Sequence, residues 1–194
     1  MASSNAGKLR EIAKILGDLD IVVVPQSDFG IADADETGTT FAENALIKAK
    51  HAAAATGLAA IADDSGLSVD ALDGRPGVYS ARYSGPGADD EKNIDKLLAE
   101  LEGVPEPERG AAFHCAVCFV LPDAAAPLIA QAEWRGRILR ERVGDGGFGY
   151  DPVFFDPELG RASAELSAEQ KNSRSHRGKA LRELARLLHE TGSR

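Results

Sequence analysis

An alanine-rich helix signal, followed at once by an apolar strand signal, restricts the fold of this chain more than any other feature. Thr40 and Glu43 have the spacing of a capping box, which marks the first turn of a helix. The stretch 41–55 that follows is rich in alanine and favours helix along its length. Residues 58–62 are apolar and predict a short strand that ends at the acidic pair 63–64. This helix–strand unit brings two carboxylates to the end of a strand.

Similar patterns predict the remaining elements. Apolar residues at helical spacing predict helices at 7–16, 89–101 and 175–189. Apolar or alternating runs predict strands at 21–24, 111–121, 128–135, 136–142 and 152–155. Because helices and strands mix without strict alternation, we expect an α/β fold with a mixed β-sheet wrapped by helices. A length of 194 residues predicts a single domain over 1–194, with room for two lobes.

The charge balance restricts the classes of partner. The chain has 22 basic and 31 acidic residues, a net charge of −9, whereas nucleic-acid binders usually carry a basic face. We therefore expect no nucleic-acid partner, although a metal and a few local cations would still allow a phosphorylated small ligand. No apolar run approaches the roughly 20 residues of a membrane helix, and the first residues lack a signal-peptide pattern. These features predict a cytoplasmic protein without membrane contact.

Two cysteines three residues apart suggest a metal or redox pair at first sight. Cys115 and Cys118, however, lie in the apolar run 113–121, which predicts a buried strand. Side chains alternate along a strand, so two residues at this spacing face opposite sides. A zinc or redox pair needs a turn between its cysteines, and zinc needs further ligands. We expect both thiols to be structural.

The first segment with chemical potential is a turn of small residues before the first helix, made of Ser3, Ser4, Asn5, Ala6, Gly7 and Lys8. Unpaired N–H groups and the positive end of the helix dipole favour phosphate at such a turn. Lys8 adds a cation that reaches outer phosphate oxygens. The alternative is an ordinary helix cap with a solvated lysine, because caps use the same residue types.

The second segment contains Asp63, Asp64 and Ser65. Carboxylates at a strand end suit a hard divalent cation such as Mg²⁺, which takes oxygen ligands from one or two carboxylates and from phosphates and water. Because strand side chains alternate, the two aspartates are expected to do different work, one facing the metal and the other a lysine or a helix end. Glu36 is a second metal candidate. The alternative is a surface turn capped by aspartate.

Helix 41–55 carries polar residues close to this acidic pair. Glu43 is best explained as the capping-box partner of Thr40. Asn44 and Lys48 are four residues apart and share one helix face. Lys48 therefore either adds a cation near bound phosphates or is a solvated lysine.

Two later segments suggest binding of a nucleobase. Phe148, Gly149, Tyr150 and Asp151 follow two glycines, which would let a flat base approach ring and backbone together, with stacking worth about 1–3 kcal/mol. The alternative is a hairpin with core aromatics. Near the last helix stand Lys171, His176 and Arg177. Cations are disfavoured at a helix N-terminus, so a bound anion or carbonyl-rich ligand would explain them, and a solvated basic patch is the alternative.

Taken in order, the motifs resemble one family. They are Ser-Asn-Ala-Gly-Lys, Glu-Thr-Gly-x-Thr-Phe-x-Glu-Asn-Ala, Ala-Asp-Asp-Ser-Gly-Leu, Pro-Gly-Val-Tyr-Ser-Ala-Arg-Tyr-Ser-Gly, Gly-Gly-Phe-Gly-Tyr-Asp-Pro and Ser-His-Arg-Gly. This order resembles the inosine triphosphate pyrophosphatase family, and within it the bacterial dITP/XTP pyrophosphatases. The resemblance extends from Ser3 to about Leu188.

The resemblance implies an elongated sheet in two lobes with a central cleft, a homodimer and Mg²⁺. The implied reaction converts inosine and xanthosine triphosphates, or their deoxy forms, to monophosphate and pyrophosphate, which clears these nucleotides from the pool used for DNA and RNA. Asp64 becomes the metal-associated general base and Glu36 a metal ligand. The implied substrate contacts are Ser3, Ser4, Asn5, Ala6, Gly7, Lys8, Ser65, Phe148, Gly149, Tyr150, Asp151, Lys171, His176 and Arg177.

The chain departs from the family at two places. Only Met1 and Ala2 precede the first motif, so the strand expected there is short or the natural start lies upstream. Gln170 precedes Lys171 where relatives usually have glutamate, which leaves the lysine but changes what orients it. Two other functions remain open: a pyrophosphatase for modified guanosine or pyrimidine triphosphates, and a nucleotide- or RNA-binding module without catalysis.

Overall fold

The computed structural model of the chain describes residues 1–2, 6–17, 21–122 and 126–192. In these ranges the α-helices are α1 (Ala6–Gly17), α2 (Phe41–Thr56), α3 (Asp90–Glu100), α4 (Ala168–Arg174) and α5 (His176–Gly192). The strands are β1 (Ala60–Val69), β2 (Gly110–Val120), β3 (Leu128–Ile138), β4 (Phe154–Asp156) and β5 (Arg161–Ala162). None of the helices in the described ranges is long and apolar enough to cross a lipid bilayer.

The strands form one sheet in which they lie in chain order, β1-β2-β3-β4-β5. Strand β3 pairs antiparallel with β4, with Arg137 opposite Phe155, and β4 pairs antiparallel with β5. Five of the predicted elements agree with the structure to within a few residues at each end, namely the helices that became α1, α2, α3 and α5 and the strand that became β2. The predicted α/β fold with a sheet and flanking helices is confirmed, and the five strands form an antiparallel sheet where a mixed sheet was expected.

Strand β1 differs from the prediction because it does not end at the acidic pair. It continues through Asp63, Asp64 and Ser65 to Val69. Ser65 and Gly66 suggested a turn, but pairing with a neighbouring strand outweighs such a local preference. The two aspartates therefore lie in the middle of a strand, where their directions are set by strand alternation.

Strand β3 is continuous where two strands were predicted to meet at residues 135 and 136. Gly136 does not end it but permits close packing: a Cβ there would lie 2.4 Å from the carbonyl oxygen of Phe155 and 2.6 Å from Cζ of Phe154. The predicted strand 152–155 is also displaced, since residues 151–153 form a turn of 3₁₀ helix before β4.

The predicted strand at 21–24 is wrong, because these residues form no ladder with a strand of the described ranges. Main-chain hydrogen bonds from the amino group of Met1 to the Val24 carbonyl oxygen (2.8 Å) and from Gln26 to Met1 (3.0 Å) hold this segment instead. Helix α4 was missed because its seven residues carry no apolar stripe. The capping box between Ser167 and Gln170 was the available signal.

The chain divides into two compact units. Unit 1 contains Met1–Asp64, Cys115–Ala132 and His176–Arg194, and unit 2 contains Ser65–His114 and Glu133–Ser175. Unit 1 has two apolar clusters, one around the alanines of α2 with Cys118 and one around α1 and α5 with Cys115. The two thiols thus face opposite sides of β2, as predicted. Both are buried, and neither forms a disulfide.

Unit 2 has an aromatic core. The ring of Phe154 lies 4.5 Å from that of Phe113 and 4.9 Å from that of Trp134, measured between centroids. Arg109 is buried beside this core, and its guanidinium donates to three main-chain carbonyls, those of Leu101, Ile138 and Leu139, each at 2.8 Å. These bonds connect α3 and the end of β3 to the start of β2.

Candidate active site

The adjacent aspartates of β1 contact different elements of unit 1. Asp63 forms ion pairs with Lys8 of α1 (Nζ–Oδ2 3.2 Å) and with Arg177 of α5 (Nε–Oδ2 3.3 Å). Asp64 faces α2, where it accepts hydrogen bonds from Lys48 Nζ at 3.0 Å and Asn44 Nδ2 at 3.3 Å. The two carboxylates therefore have different cationic partners, while the expectation that one of them faces a metal stays a prediction.

Asp63 is a fully buried anion held by cations. Burial acts to raise the pKa of Asp63, but the positive charges of Lys8, Arg177 and Lys48 outweigh it and lower that pKa well below the ordinary value. The positive charge of Arg177 at the start of α5 is therefore balanced by a carboxylate of the protein itself. Its unfavourable position near the positive end of the helix dipole is thus compensated without a bound ligand. Asp63 fixes the directions of Lys8 and Arg177 from within unit 1.

Asp64 shares the ammonium of Lys48 with a second carboxylate. Lys48 Nζ lies 2.7 Å from Glu36 Oε1 and 3.0 Å from Asp64 Oδ1. Burial is the main reason that the pKa of Asp64 is raised; the negative charge of Glu36 adds to this effect and Lys48 opposes it. Asn44 is buried and also accepts the N–H of Gly38 at 2.8 Å, so its amide is held from both sides.

Glu43 has the capping role that the sequence indicated. Its carboxylate accepts the N–H groups of Thr39 (2.7 Å) and Thr40 (3.1 Å), and the Thr40 hydroxyl accepts the N–H of Glu43. These hydrogen bonds lower the pKa of Glu43. With its first turn fixed in this way, α2 presents Asn44 and Lys48 toward β1.

The pair Glu36 and Asp64 fits a magnesium ion by donor chemistry. Both are carboxylates, both contact a single cationic group, and Mg²⁺ is commonly held by one or two protein carboxylates together with phosphate and water oxygens. Among the described residues there is no group of three or more His, Cys, Asp or Glu side chains that would hold a metal. A magnesium ion at this position would take only part of its coordination sphere from the described side chains.

The predicted phosphate turn is only partly described. Ser3, Ser4 and Asn5 lie outside the described residues, while Ala6 and Gly7 form the first turn of α1. Lys8 follows in the same helix, and its ammonium is directed to Asp63. In the described part of this turn, Lys8 thus forms an ion pair with Asp63, one of the two adjacent aspartates of β1.

Unit 2 brings together Phe148, Asp151 and Lys171, three of the predicted binding residues. Lys171 is buried, donates to Asp151 Oδ2 at 2.6 Å, and lies 4.6 Å from the centre of the Phe148 ring. The second oxygen of Asp151 accepts the Ser163 hydroxyl at 2.7 Å. A half-buried aromatic ring with a cation over one face is suited to a flat heterocycle that carries carbonyl oxygens.

The glycine-rich segment before Asp151 is held by internal hydrogen bonds. Asp151 also accepts the N–H of Phe148 at 2.8 Å, and Asp90, the first residue of α3, accepts the N–H of Gly149 at 2.7 Å. Gly147 has a φ of +78°, and a Cβ there would lie 2.1 Å from Asp151 Oδ2. The N–H groups of residues 148 and 149 are therefore already engaged by carboxylates.

Tyr150 is a core residue of unit 2. Its side chain is buried with Leu67 and Val153, and its hydroxyl donates to the Ser80 carbonyl oxygen at 2.8 Å. Ser80 in turn accepts the N–H of Leu67 at 2.9 Å. The Tyr150 ring therefore packs in the core, as the alternative to base stacking predicted.

The remaining predicted residues divide between the units. Ser65 is half-buried in β1 and belongs to unit 2, whereas His176 and Arg177 are buried at the start of α5 in unit 1. Sequence reasoning did not identify Asp90 or Ser163. Asp90 looks like an ordinary acidic residue of a first helical turn, and its partner is 59 residues away in the chain.

The chain is similar to proteins of one known family. Residues 1–187 match the Ham1 family. The dITP/XTP pyrophosphatase of Vibrio vulnificus (strain YJ016) is 54% identical over 191 residues, covering 98% of this chain and 96% of that protein. The dITP/XTP pyrophosphatase of Shigella flexneri is 54% identical over 189 residues, covering 97% of this chain and 96% of that protein.

Solved structures give the same result. The HAM1 protein of Coxiella burnetii has a TM-score of 0.89 and 48% identity, covering 97% of this chain and 96% of that one. The Ham1 protein of Staphylococcus aureus has a TM-score of 0.87 and 41% identity, covering 98% of this chain and 97% of that one. The resemblance inferred from the motifs is confirmed. The chain belongs to the Ham1 family.

Proposed function

We propose that this protein hydrolyses non-standard purine nucleoside triphosphates, namely ITP, dITP, XTP and dXTP, to the monophosphate and pyrophosphate. The observation that carries the proposal is the pair of buried aspartates in β1, each joined to a lysine at about 3 Å, in a chain that is 54% identical to dITP/XTP pyrophosphatases. Such an arrangement suits an anionic substrate that arrives with a metal. The consequence for the cell would be removal of these nucleotides before polymerases use them.

Asp64 is proposed as the general base. Its buried carboxyl has a raised pKa, and a stronger base abstracts a proton from the attacking water more readily. Glu36 and Asp64 would hold Mg²⁺, which when bound offsets the charge that develops on the pyrophosphate leaving group. Asn44 would keep the Asp64 carboxylate in place during the reaction.

Cations of unit 1 are proposed to bind the triphosphate. Ser3, Ser4, Asn5, Ala6 and Gly7 would contribute the turn, and Lys8 would contribute a charge that Asp63 directs. Fixed positive groups of this kind stabilise charge in the transition state without reorganising. Ser65, next to Asp64 in β1, would contact the substrate as well.

Base recognition is proposed to use a stacking surface and side-chain donors. Phe148 would stack on the base, beside Gly149 and Tyr150, and Lys171 would interact with its carbonyl oxygens while paired with Asp151. His176 or Arg177 would donate to the C6 carbonyl of hypoxanthine or xanthine. Adenine has an amino group at this position, and two opposed donors in a buried site cost several kcal/mol, enough for about 10³-fold discrimination.

The test is pyrophosphate release from ITP, dITP, XTP, GTP and ATP, each with Mg²⁺ and with EDTA. We expect fast release from the first three with Mg²⁺ and little from ATP. Equal rates for ATP and ITP would reject the donor argument. Preference for modified guanosine or pyrimidine triphosphates would favour the neighbouring pyrophosphatase function, and binding without pyrophosphate release would favour a non-catalytic module.

The proposal includes the molecular setting. We expect one domain over residues 1–194, a homodimer, a cytoplasmic location, and no nucleic-acid partner, the last because the net charge is −9. Light scattering of the purified protein measures the oligomeric state, and a filter-binding assay with DNA and RNA tests the expected absence of nucleic-acid binding.

A further inference from the structure

The ammonium of Lys48 lies between Glu36 and Asp64, the two carboxylates that are proposed to bind the metal. Its ammonium is 2.7 Å from Glu36 Oε1 and 3.0 Å from Asp64 Oδ1, and its side chain is only 14% exposed. A lysine side chain is an ammonium at neutral pH, and this one has an oxygen of Glu36 and an oxygen of Asp64 within hydrogen-bond distance. Without nucleotide, a cation that belongs to the protein already joins Glu36 to Asp64.

This cation stabilises an arrangement that would otherwise be unfavourable. Two carboxylates that converge in a partly buried space repel each other, and a positive charge within hydrogen-bond distance of both offsets that repulsion. A magnesium ion entering the same space has to displace the ammonium, and it gains only part of a coordination sphere from the described residues. Without nucleotide, replacement of the Lys48 ammonium by Mg²⁺ is therefore expected to gain little free energy.

A triphosphate changes this balance. It supplies further oxygen ligands for Mg²⁺ and gives the displaced ammonium new anionic partners. Lysine has a flexible four-carbon stem, so its ammonium moves without movement of the helix. The first turn of the helix is held by the capping box of Thr40 and Glu43.

We propose that Lys48 acts as an internal counter-ion that closes the Glu36–Asp64 position to Mg²⁺ in the nucleotide-free protein, so that the metal binds only together with the triphosphate. This inference rests on the proposed function, because it takes a nucleoside triphosphate as the ligand. It gives Lys48 a role in the order of binding, in addition to neutralising phosphate.

The experiment is a calorimetric titration of the nucleotide-free full chain with MgCl₂, for the wild type and three variants. Lys48→Met removes the competing charge, and we expect it to bind Mg²⁺ about tenfold or more tightly than the wild type. Lys48→Arg keeps a cation and is expected to bind as weakly as the wild type. Lys50→Met is the matched control, because it removes an exposed lysine from the same helix, and it is expected to bind Mg²⁺ as weakly as the wild type.

A second arm verifies the position of the metal. In the double variant Lys48→Met with Asp64→Asn, the gained Mg²⁺ affinity should disappear. Thermal unfolding gives the same information without heats of binding: Mg²⁺ should raise the Tm of Lys48→Met but not that of the wild type. If the nucleotide-free wild type binds Mg²⁺ as tightly as Lys48→Met, the proposal is wrong.

Wild-type protein alone also tests the idea, in case Lys48→Met does not fold. Mg²⁺ is titrated with and without a non-hydrolysable ITP analogue, and strong binding is expected only with the analogue. Equal binding in both cases overturns the counter-ion role. Pyrophosphate release by the wild type tests the proposed function separately, so loss of one conclusion is distinguishable from loss of the other.

Discussion

The indole N–H of Trp134 donates to Asp156 Oδ2 at 2.8 Å, which places a carboxylate inside the aromatic core of unit 2. Asp156 is fully buried and also accepts Arg174 Nε at 3.1 Å and the N–H groups of Glu158 and Leu159. Burial acts to raise the pKa of Asp156, but these hydrogen bonds outweigh it, with that of Arg174 the strongest, and lower the pKa. The charged form of this residue therefore contributes to folding.

The first prediction concerns acid stability. Since the folded pKa of Asp156 is depressed, its contribution is present above the unfolded value of about 3.9 and is lost as pH falls through the folded pKa. Asp156→Asn should lower the free energy of unfolding by about 3 kcal/mol at pH 7, and by progressively less below about pH 4. Urea unfolding at several pH values measures both quantities. A difference that does not change with pH would contradict the explanation.

The second prediction compares how replacement of each aspartate of β1 changes the free energy of unfolding. Asp63→Asn leaves Lys8 and Arg177 without their buried counter-charge and should cost about 3 kcal/mol of unfolding free energy. Asp64→Asn should change it by less than about 1 kcal/mol, because Lys48 keeps Glu36 as a partner. Urea unfolding at pH 7 compares the two. Equal losses would contradict the different surroundings described for these residues.

The third prediction concerns the catalytic effect of Asp64→Asn. Asp64→Asn should lower kcat for ITP by about 10²–10⁴-fold, because it removes the proposed base. Steady-state pyrophosphate release measures the change, and circular dichroism verifies that the variant is folded. Full turnover by this variant would remove Asp64 from the mechanism.

The fourth prediction concerns Asp90, which accepts the N–H of Gly149. Asp90→Ala should raise KM about three- to tenfold with little change in kcat, because the segment that carries Phe148 loses one charge-assisted hydrogen bond. Asp90→Asn keeps an acceptor oxygen and removes the same charge from the start of α3. If both variants behave alike, the effect comes from the helix charge and not from the bond to residue 149.

The fifth prediction concerns Arg109. Arg109→Met removes the guanidinium donor from three main-chain carbonyls, of which that of Leu101 keeps a further donor, the N–H of Val104, and it should lower the free energy of unfolding by about 3 kcal/mol. Arg109→Lys should rescue little of this loss, because one ammonium does not reproduce the planar geometry of the guanidinium. Chemical denaturation of both variants gives the comparison, and a strong rescue by lysine would contradict it.

Local signals predicted the elements that depend on local structure. The capping box at Thr40 located α2 within a residue, since its interactions span only four positions. The predicted end of β1 is wrong because Ser65 and Gly66 favour a turn locally. Pairing with the neighbouring strand keeps these residues in the extended conformation. Gly136 was read as a strand boundary for the same reason, although its lack of a side chain is needed for contact with Phe154 and Phe155.

The contacts of the candidate site were less accessible to sequence reasoning. The sequence identified Lys48, Glu36 and Asp64 separately, but their shared hydrogen bonds join residues 12 and 16 positions apart through tertiary packing. Likewise, Arg177 was recognised as a cation at an unfavourable helix end, and its partner Asp63 is 114 residues away. No local pattern reports such pairs, because their attraction depends on distances that the fold creates.

The burial of both thiols affects how the protein can be labelled. Burial raises the pKa of Cys115 to about 12 and that of Cys118 to about 11, so at neutral pH neither side chain offers a reactive thiolate. A maleimide dye or spin label should therefore attach only to a cysteine engineered on the surface. One such cysteine in each unit would allow spectroscopists to measure the separation of the units in an otherwise native background.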